Sequence, residues 1–226
     1  MTIPYVFIWT PKYEVFANIL KKGIGQYPEL EDKSVFIPQE FFDANSNKSS
    51  GHLMTGCSLK LMTTYEMLKT LPEGSYFIFS DADVILFPKK PLIDLLKVYI
   101  NLEADCVFMR ETISREFYNV GFSLLRVNHV NRDLFLRALK KYENEPNGLD
   151  GSFINECLKD YSGSCFYFPP ELIATTSTVI DMDKKRASQY LMRSKIIVYQ
   201  ALCDAHKSSE FMINQKVEQY KILGAI

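Results

Sequence analysis

Tyr76-Phe77-Ile78-Phe79-Ser80-Asp81-Ala82-Asp83-Val84-Ile85-Leu86-Phe87 is the stretch from which the rest of the chain is read. Four apolar residues in succession, without polar alternation, predict a strand covered on both faces, as in the centre of an α/β sheet. Open α/β sheets bind ligands just beyond the carboxyl ends of their strands, and side chains two apart in extended chain point the same way. Asp81 and Asp83 are therefore expected to converge at a binding edge. Two carboxylates meeting in a half-buried crevice repel unless one is protonated or a cation lies between them. A hard divalent ion with open positions is the simplest such cation, and it can hold the phosphates of a nucleotide. The spacing alone is weak, because Asp181-Met182-Asp183 repeats it and a turn or helix N-cap is the plain reading of one such pair. The setting carries more weight: a strand before the pair, a second apolar segment after it, then Pro88 and Pro91 turning the chain into a helix.

With 226 residues, 47% hydrophobic and 23% charged, the chain is long enough to bury a core without staples, and a single domain is expected. The net charge of -1 and the lack of a long basic run argue against nucleic acid as a partner. Five scattered cysteines without a Cys-x-x-Cys suit free thiols in a reducing compartment. The apolar run Tyr5 to Trp9 is too short for a signal peptide or an anchor, so a soluble, cytoplasmic chain is expected, although a longer parent protein could carry an anchor or further domains.

Ile3 to Trp9 reads as the first strand, followed by Thr10 as a helix cap and Pro11 at the first helical position. The helix is expected to run to about Lys22 and to end at Gly23 and Gly25. A strand–turn–helix opening is where α/β folds seat a nucleotide, which makes Thr10, Lys12 and Tyr13 candidates to touch base or ribose; capping and solvation are the alternative. Ser34 to Ile37 reads as a short strand, and Phe42 to Gly56 as a polar loop of lid-like length. A helix starting at Thr55 or Gly56 carries Lys60, either solvated or in reach of a phosphate. Beyond a helix over Leu92 to Leu102, Asp105 to Met109 is a strand delivering Arg110, and Phe117 to Val127 a strand returning along the sheet. Gly121 within it predicts close approach by a ligand or another backbone, with Asn119 placed to bond that ligand. Asn131 to Tyr142 reads as a helix broken at Asn147-Gly148, and Asp150 as either the cap of the next helix or an acid at the mouth of the site. Gly163 to Phe168 and Ile196 to Tyr199 read as late strands, and Phe211 to Leu223 as a terminal helix.

Taken together, the chain resembles the Asp-x-Asp glycosyltransferases of the GT-A fold, a Rossmann-like mixed sheet flanked by helices. The resemblance rests on Phe-Ile-Phe-Ser-Asp81-Ala-Asp83-Val with its following prolines, Asn119-Val-Gly121 with Arg126 downstream, Asp150-Gly151 opening a helix, and a histidine near the C-terminus. The small size is similar to bacterial or chlorella virus members. The resemblance implies that Asp81, Asp83 and His206 hold Mn²⁺ or Mg²⁺, an imidazole favouring Mn²⁺. Through the ion they would bind the diphosphate of a nucleotide sugar, UDP-linked by analogy. It further implies that Ser80, Ala82 and Gly121 line the donor, that Lys60, Arg110 and Lys207 offset leaving-group charge, and that Asn119 and Asp150 face the donor sugar and a glycan acceptor, Asp150 as base if transfer inverts. About residues 1–110 would then bind nucleotide and about 111–226 the acceptor. Relatives often carry Gln after the aspartate where this chain has Gly151, a departure on the acceptor side.

Two rival readings stand beside this one. Haloacid-dehalogenase-type phosphatases also end a strand in Asp-x-Asp, but after their first strand, with a later acidic pair for which only Asp181 and Asp183 offer themselves. A non-catalytic module that binds nucleotide sugar is the other, since fold does not fix function.

Overall fold

The computed structural model describes residues 2–41, 52–88, 91–112, 116–146, 148–178, 196–201 and 209–222. In chain order these hold β1 (Ile3–Trp9), α1 (Glu14–Ile24), β2 (Leu30–Asp32), β3 (Val35–Phe36), α2 (His52–Thr70), β4 (Tyr76–Ser80), β5 (Val84–Leu86), α3 (Leu92–Asn101), β6 (Cys106–Arg110), β7 (Tyr118–Arg126), α4 (His129–Asn144), α5 (Asp150–Leu158), β8 (Cys165–Tyr167), β9 (Ile173–Thr175), β10 (Val198–Gln200) and α6 (Ser209–Ile222). The main sheet runs β2-β1-β4-β7-β6-β8, with β3 also on β1. Its pairings are parallel except around β7, which lies antiparallel between β4 and β6. A smaller sheet, β5-β10-β9, carries the chain beyond the acidic pair.

The uninterrupted apolar run of β4 has a direct structural cause. Its side chains alternate between two cores. Tyr76 and Ile78 join a cluster with Ala17, Leu20 and Leu96 of α1 and α3. Phe77 and Phe79 join one with Leu61, Leu134 and Ile154 of α2, α4 and α5. Helices therefore cover both faces, and no position on β4 can be polar until its end.

Several boundaries differ from the sequence expectation. Gly23 does not end α1 but lies inside it: a Cβ there would stand 3.0 Å from Leu86 Cβ, so the missing side chain lets β5 pass against the helix. Gly25 is the C-cap, in ordinary right-handed backbone. Helix α2 begins at His52, before Thr55, and the expected lid segment falls largely on residues 42–51, outside the described residues. Helix α4 ends at Asn144, ahead of Asn147-Gly148, and starts earlier than expected because the Asn128 side chain accepts from Asn131 N at 2.9 Å and caps it. Strands β2 and β9 span three residues each, too short to show a period.

Candidate active site

Strands β1 and β4 run in parallel, with Phe7 opposite Ser80, so their carboxyl ends open side by side. There the chain leaves the main sheet at Asp81-Ala82-Asp83 and joins the smaller sheet at Val84. A cavity of about 200 Å³ forms at this edge. Its walls combine Thr10, Lys12 and Tyr13 after β1, Lys60 of α2, Asp81, Ala82 and Asp83, and Met212 and Lys216 of α6. Ile8, Trp9 and Ile37 make one side apolar. Thr10 holds the cap position of a short 3-10 turn, but its side chain makes no cap bond.

The cavity wall carries two carboxylates, Asp81 and Asp83, and three lysines, Lys12, Lys60 and Lys216, with Asp150 beside it in contact with Lys60. Lys60 Nζ lies 2.8 Å from Asp81 Oδ1 and 2.6 Å from Asp150 Oδ2, bridging the two acids. Burial opposes its charge, yet Asp150 and Asp81 outweigh that and raise the lysine well above its usual range. Lys216 donates to Asp83 Oδ2, both groups being buried. Gln200 Nε2 donates to Asp81 Oδ2 at 2.6 Å. Asp83 Oδ1 is buried without a hydrogen-bond partner among the described residues. A buried orphan acceptor is costly, so the chemistry at Asp83 Oδ1 fits a further cation. Among the described residues no cluster of three or more His, Cys, Asp or Glu has the arrangement of a metal site. The described acids thus offer an ion the Asp81/Asp83 pair, in the manner of Mg²⁺ held by one or two carboxylates and substrate phosphates. His206 and Lys207 lie outside the described residues, as do Asp181 and Asp183.

Other expected site residues sit beside the cavity, not in its wall. Ser80 is fully buried, its hydroxyl 3.0 Å from the Asp81 carbonyl. Asp150 is not a cap: Leu149 holds the N-cap, and Asp150, in the first turn of α5, spends its carboxylate on Lys60. Asn119 is tied to the protein, its Oδ1 accepting from Gly121 N at 2.7 Å and its Nδ2 donating to Glu111. Arg110 is carried away from the cavity, its guanidinium 5.1 Å from the Tyr167 ring centre, and Tyr167 in turn stacks on Tyr118 at 4.1 Å. The close approach predicted at Gly121 is made by a side chain: a Cβ there would stand 2.2 Å from Gln200 Nε2. Gly121→Ala is therefore expected to leave the fold intact, since the end of a side chain must move, but to detach Gln200 from Asp81. Circular dichroism should show unchanged secondary structure, with the thermal midpoint lowered by about 3–12 °C as a hydrogen bond to a charged group is lost.

Three residues of the site were not legible beforehand. Gln200 had only half a signal, the glycine it packs on. Lys216 sits in a helix tail of mixed polarity where a solvated lysine is the default. Glu111, half-buried beside Asn119, has its carboxyl pushed up mainly by burial, with the charge of Asp81 adding to the effect. Cys57 lines the cavity as an inert wall, burial holding its thiol up to about 12.

The mixed sheet, with its acidic pair at the β4 edge and the small β5-β10-β9 sheet beyond, is the GT-A fold of glycosyltransferases. No protein-family model and no curated protein matches the chain by sequence. Solved structures do match. The apo form of the glycosyltransferase GlyE of Streptococcus pneumoniae TIGR4 superposes with a TM-score of 0.61 at 14% identity, over 99% of this chain and 62% of that one. A glycosyltransferase involved in glycosylating the major capsid of PBCV-1 gives 0.58 at 11% identity, over 96% of this chain and all (100%) of that one. The galactosyltransferase LgtC, solved with donor and acceptor sugar analogs, gives 0.51 at 13%, over 99% and 96%. At these identities the likeness is one of fold, and the chain spans under two thirds of the length of GlyE. No helix among the described residues is long and apolar enough to cross a membrane.

Proposed function

We infer that this chain transfers a sugar from a nucleotide-diphosphate sugar, a UDP-sugar by analogy, to a hydroxyl of a glycan or protein-linked glycan. The observation that carries the reading is the cavity at the β1/β4 edge, where an apolar wall at Ile8 and Trp9 leads to the acids Asp81 and Asp83 and the ammonium groups of Lys60 and Lys216. The apolar side suits a base, with Thr10, Lys12 and Tyr13 at the ribose. A divalent ion, Mn²⁺ or Mg²⁺, would be held by Asp81 and Asp83, with His206 as a further proposed ligand, and would supply positive charge to the diphosphate.

Breaking the bond between the anomeric carbon and phosphate oxygen puts negative charge on the leaving diphosphate, so fixed cations aimed at that position lower the barrier. Lys60, which lines the cavity and is held charged by Asp150 and Asp81, is proposed as one such cation. Lys207 is proposed to add to it. Asp150, held by Lys60, takes the acceptor proton if configuration inverts; in a retaining transfer the leaving phosphate oxygen takes it. Asn119, Gly121, Ser80 and Ala82 shape the donor-sugar side, residues up to about 110 form the nucleotide half and those beyond it the acceptor half. Arg110, held over the Tyr167 ring and away from the cavity, is given no part in offsetting the leaving-group charge.

The test is release of UDP from a panel of UDP-sugars in the presence of Mn²⁺. Slow release without acceptor, accelerated by a suitable glycan, is the expected result. Tight UDP binding without any release would favour a non-catalytic binding module, and hydrolysis of a simple phosphate ester a phosphatase.

A further inference from the structure

Lys216 sits where few lysines do. It is 7% exposed, its ammonium lies against Asp83 Oδ2, and the same ammonium stands 5.8 Å from the centre of the Tyr13 ring. Helix α6 presents it to the cavity from a fixed base: Tyr220, one turn on and fully buried, packs edge-on against Phe16 at 5.2 Å, while Met212, one turn back, lines the cavity. Residues 212, 216 and 220 share one helix face. Of the four oxygens on Asp81 and Asp83, Lys60, Gln200 and Lys216 each take one, and Asp83 Oδ1 is left over. An ion taken up at Oδ1 would lie about 5 Å from the ammonium on the other oxygen of the same carboxylate, and like charges at that range in a part-buried site repel strongly.

Building on the nucleotide-sugar reading, we propose that Lys216 is an internal cation that competes with the divalent ion for Asp83, and that the nucleotide diphosphate relieves the competition by drawing the ammonium onto its own oxygens. Metal and nucleotide then bind cooperatively, each strengthening the other by the same factor. The device keeps the carboxylates from staying loaded with metal alone. Lys216 is in this sense a residue that sets metal affinity and order of loading, and not one that reacts.

The test is titration of the full chain with Mn²⁺ alone, followed by electron paramagnetic resonance, for the parent, Lys216→Met and Lys216→Arg. Lys216→Met should bind Mn²⁺ at least about tenfold more tightly than the parent, and UDP should then improve its Mn²⁺ affinity by a smaller factor. Lys216→Arg, which keeps the charge, should bind Mn²⁺ as weakly as the parent. Equal or weaker Mn²⁺ binding by Lys216→Met, or no Mn²⁺ binding by any form, overturns the proposal. Failure of UDP to bind the Mn²⁺-loaded parent would instead strike the nucleotide-sugar reading, leaving the Mn²⁺ contrast between variants to stand or fall by itself.

Discussion

Lys60→Met is expected to lower the stability of the chain by about 3–5 kcal/mol, because a single ammonium holds two carboxylates that are themselves largely buried. The side chains of Lys60, Asp81 and Asp150 are 17%, 22% and 9% exposed, too little for water to replace the lost partner. Methionine fills nearly the same volume, so the loss would measure charge and not packing. For a chain of this length the thermal midpoint should drop by about 6–20 °C. The sign with pH follows from the direction of the shift. Lys60 is raised above its unfolded range, so its contribution is fully present below that range and is lost only as pH rises through the higher folded value. The gap between parent and variant should therefore be constant from about pH 6 to pH 9. Adding Asp150→Asn to Lys60→Met should recover part of the loss by removing one of the stranded charges. A midpoint within about 2 °C of the parent would show that the bridge contributes little, as exposed pairs do.

Asp83→Ala is expected to weaken metal-dependent UDP binding by at least about a hundredfold, or about 2.8 kcal/mol. Asp83 supplies the buried oxygen that lacks a partner among the described residues, and it is held on a short turn between β4 and β5 whose flanking residues pack without it. Removing it takes the Asp83 carboxylate from the buried Lys216, which stands beside Tyr13, so a loss of stability of about 3–5 kcal/mol accompanies the loss of binding. Asp83→Asn separates the two effects, since the amide keeps a hydrogen-bond partner for the ammonium while lowering the charge offered to a cation. Calorimetry with UDP and Mn²⁺ on both variants reads the binding loss directly, and undiminished affinity in Asp83→Ala would remove Asp83 from the site.

Much of this arrangement is visible in the residues themselves, and the reason is physical. A strand buried on both faces must be apolar throughout, so Tyr76 to Ser80 identifies itself, and the first polar residues after it mark the sheet edge. The same reasoning finds β1 and places Thr10, Lys12 and Tyr13 on the cavity wall. What one sequence does not display is contact between distant segments. Lys60, 21 positions before Asp81, and Gln200, 119 positions after it, converge on the same carboxylate. Neither residue type is rare enough to signal such a meeting. Lys216 is harder still, because buried and solvated lysines look alike until a packed partner such as Tyr220 fixes the helix. Asp150 illustrates a different failure: its residue type suits both an N-cap and an ion pair, and only the approach of α2 selects the second. Arg110 follows its strand as expected, but the aromatic ring of Tyr167 draws the guanidinium away from the cavity.

The central claim is that Asp81 and Asp83 form a metal-dependent site for a nucleotide diphosphate, and titration calorimetry of the parent chain with UDP, first without and then with Mn²⁺, tests it most directly. Weak or absent heat without the ion and saturable binding with it is the predicted result. No binding of UDP or GDP by the folded chain in either condition would contradict the claim.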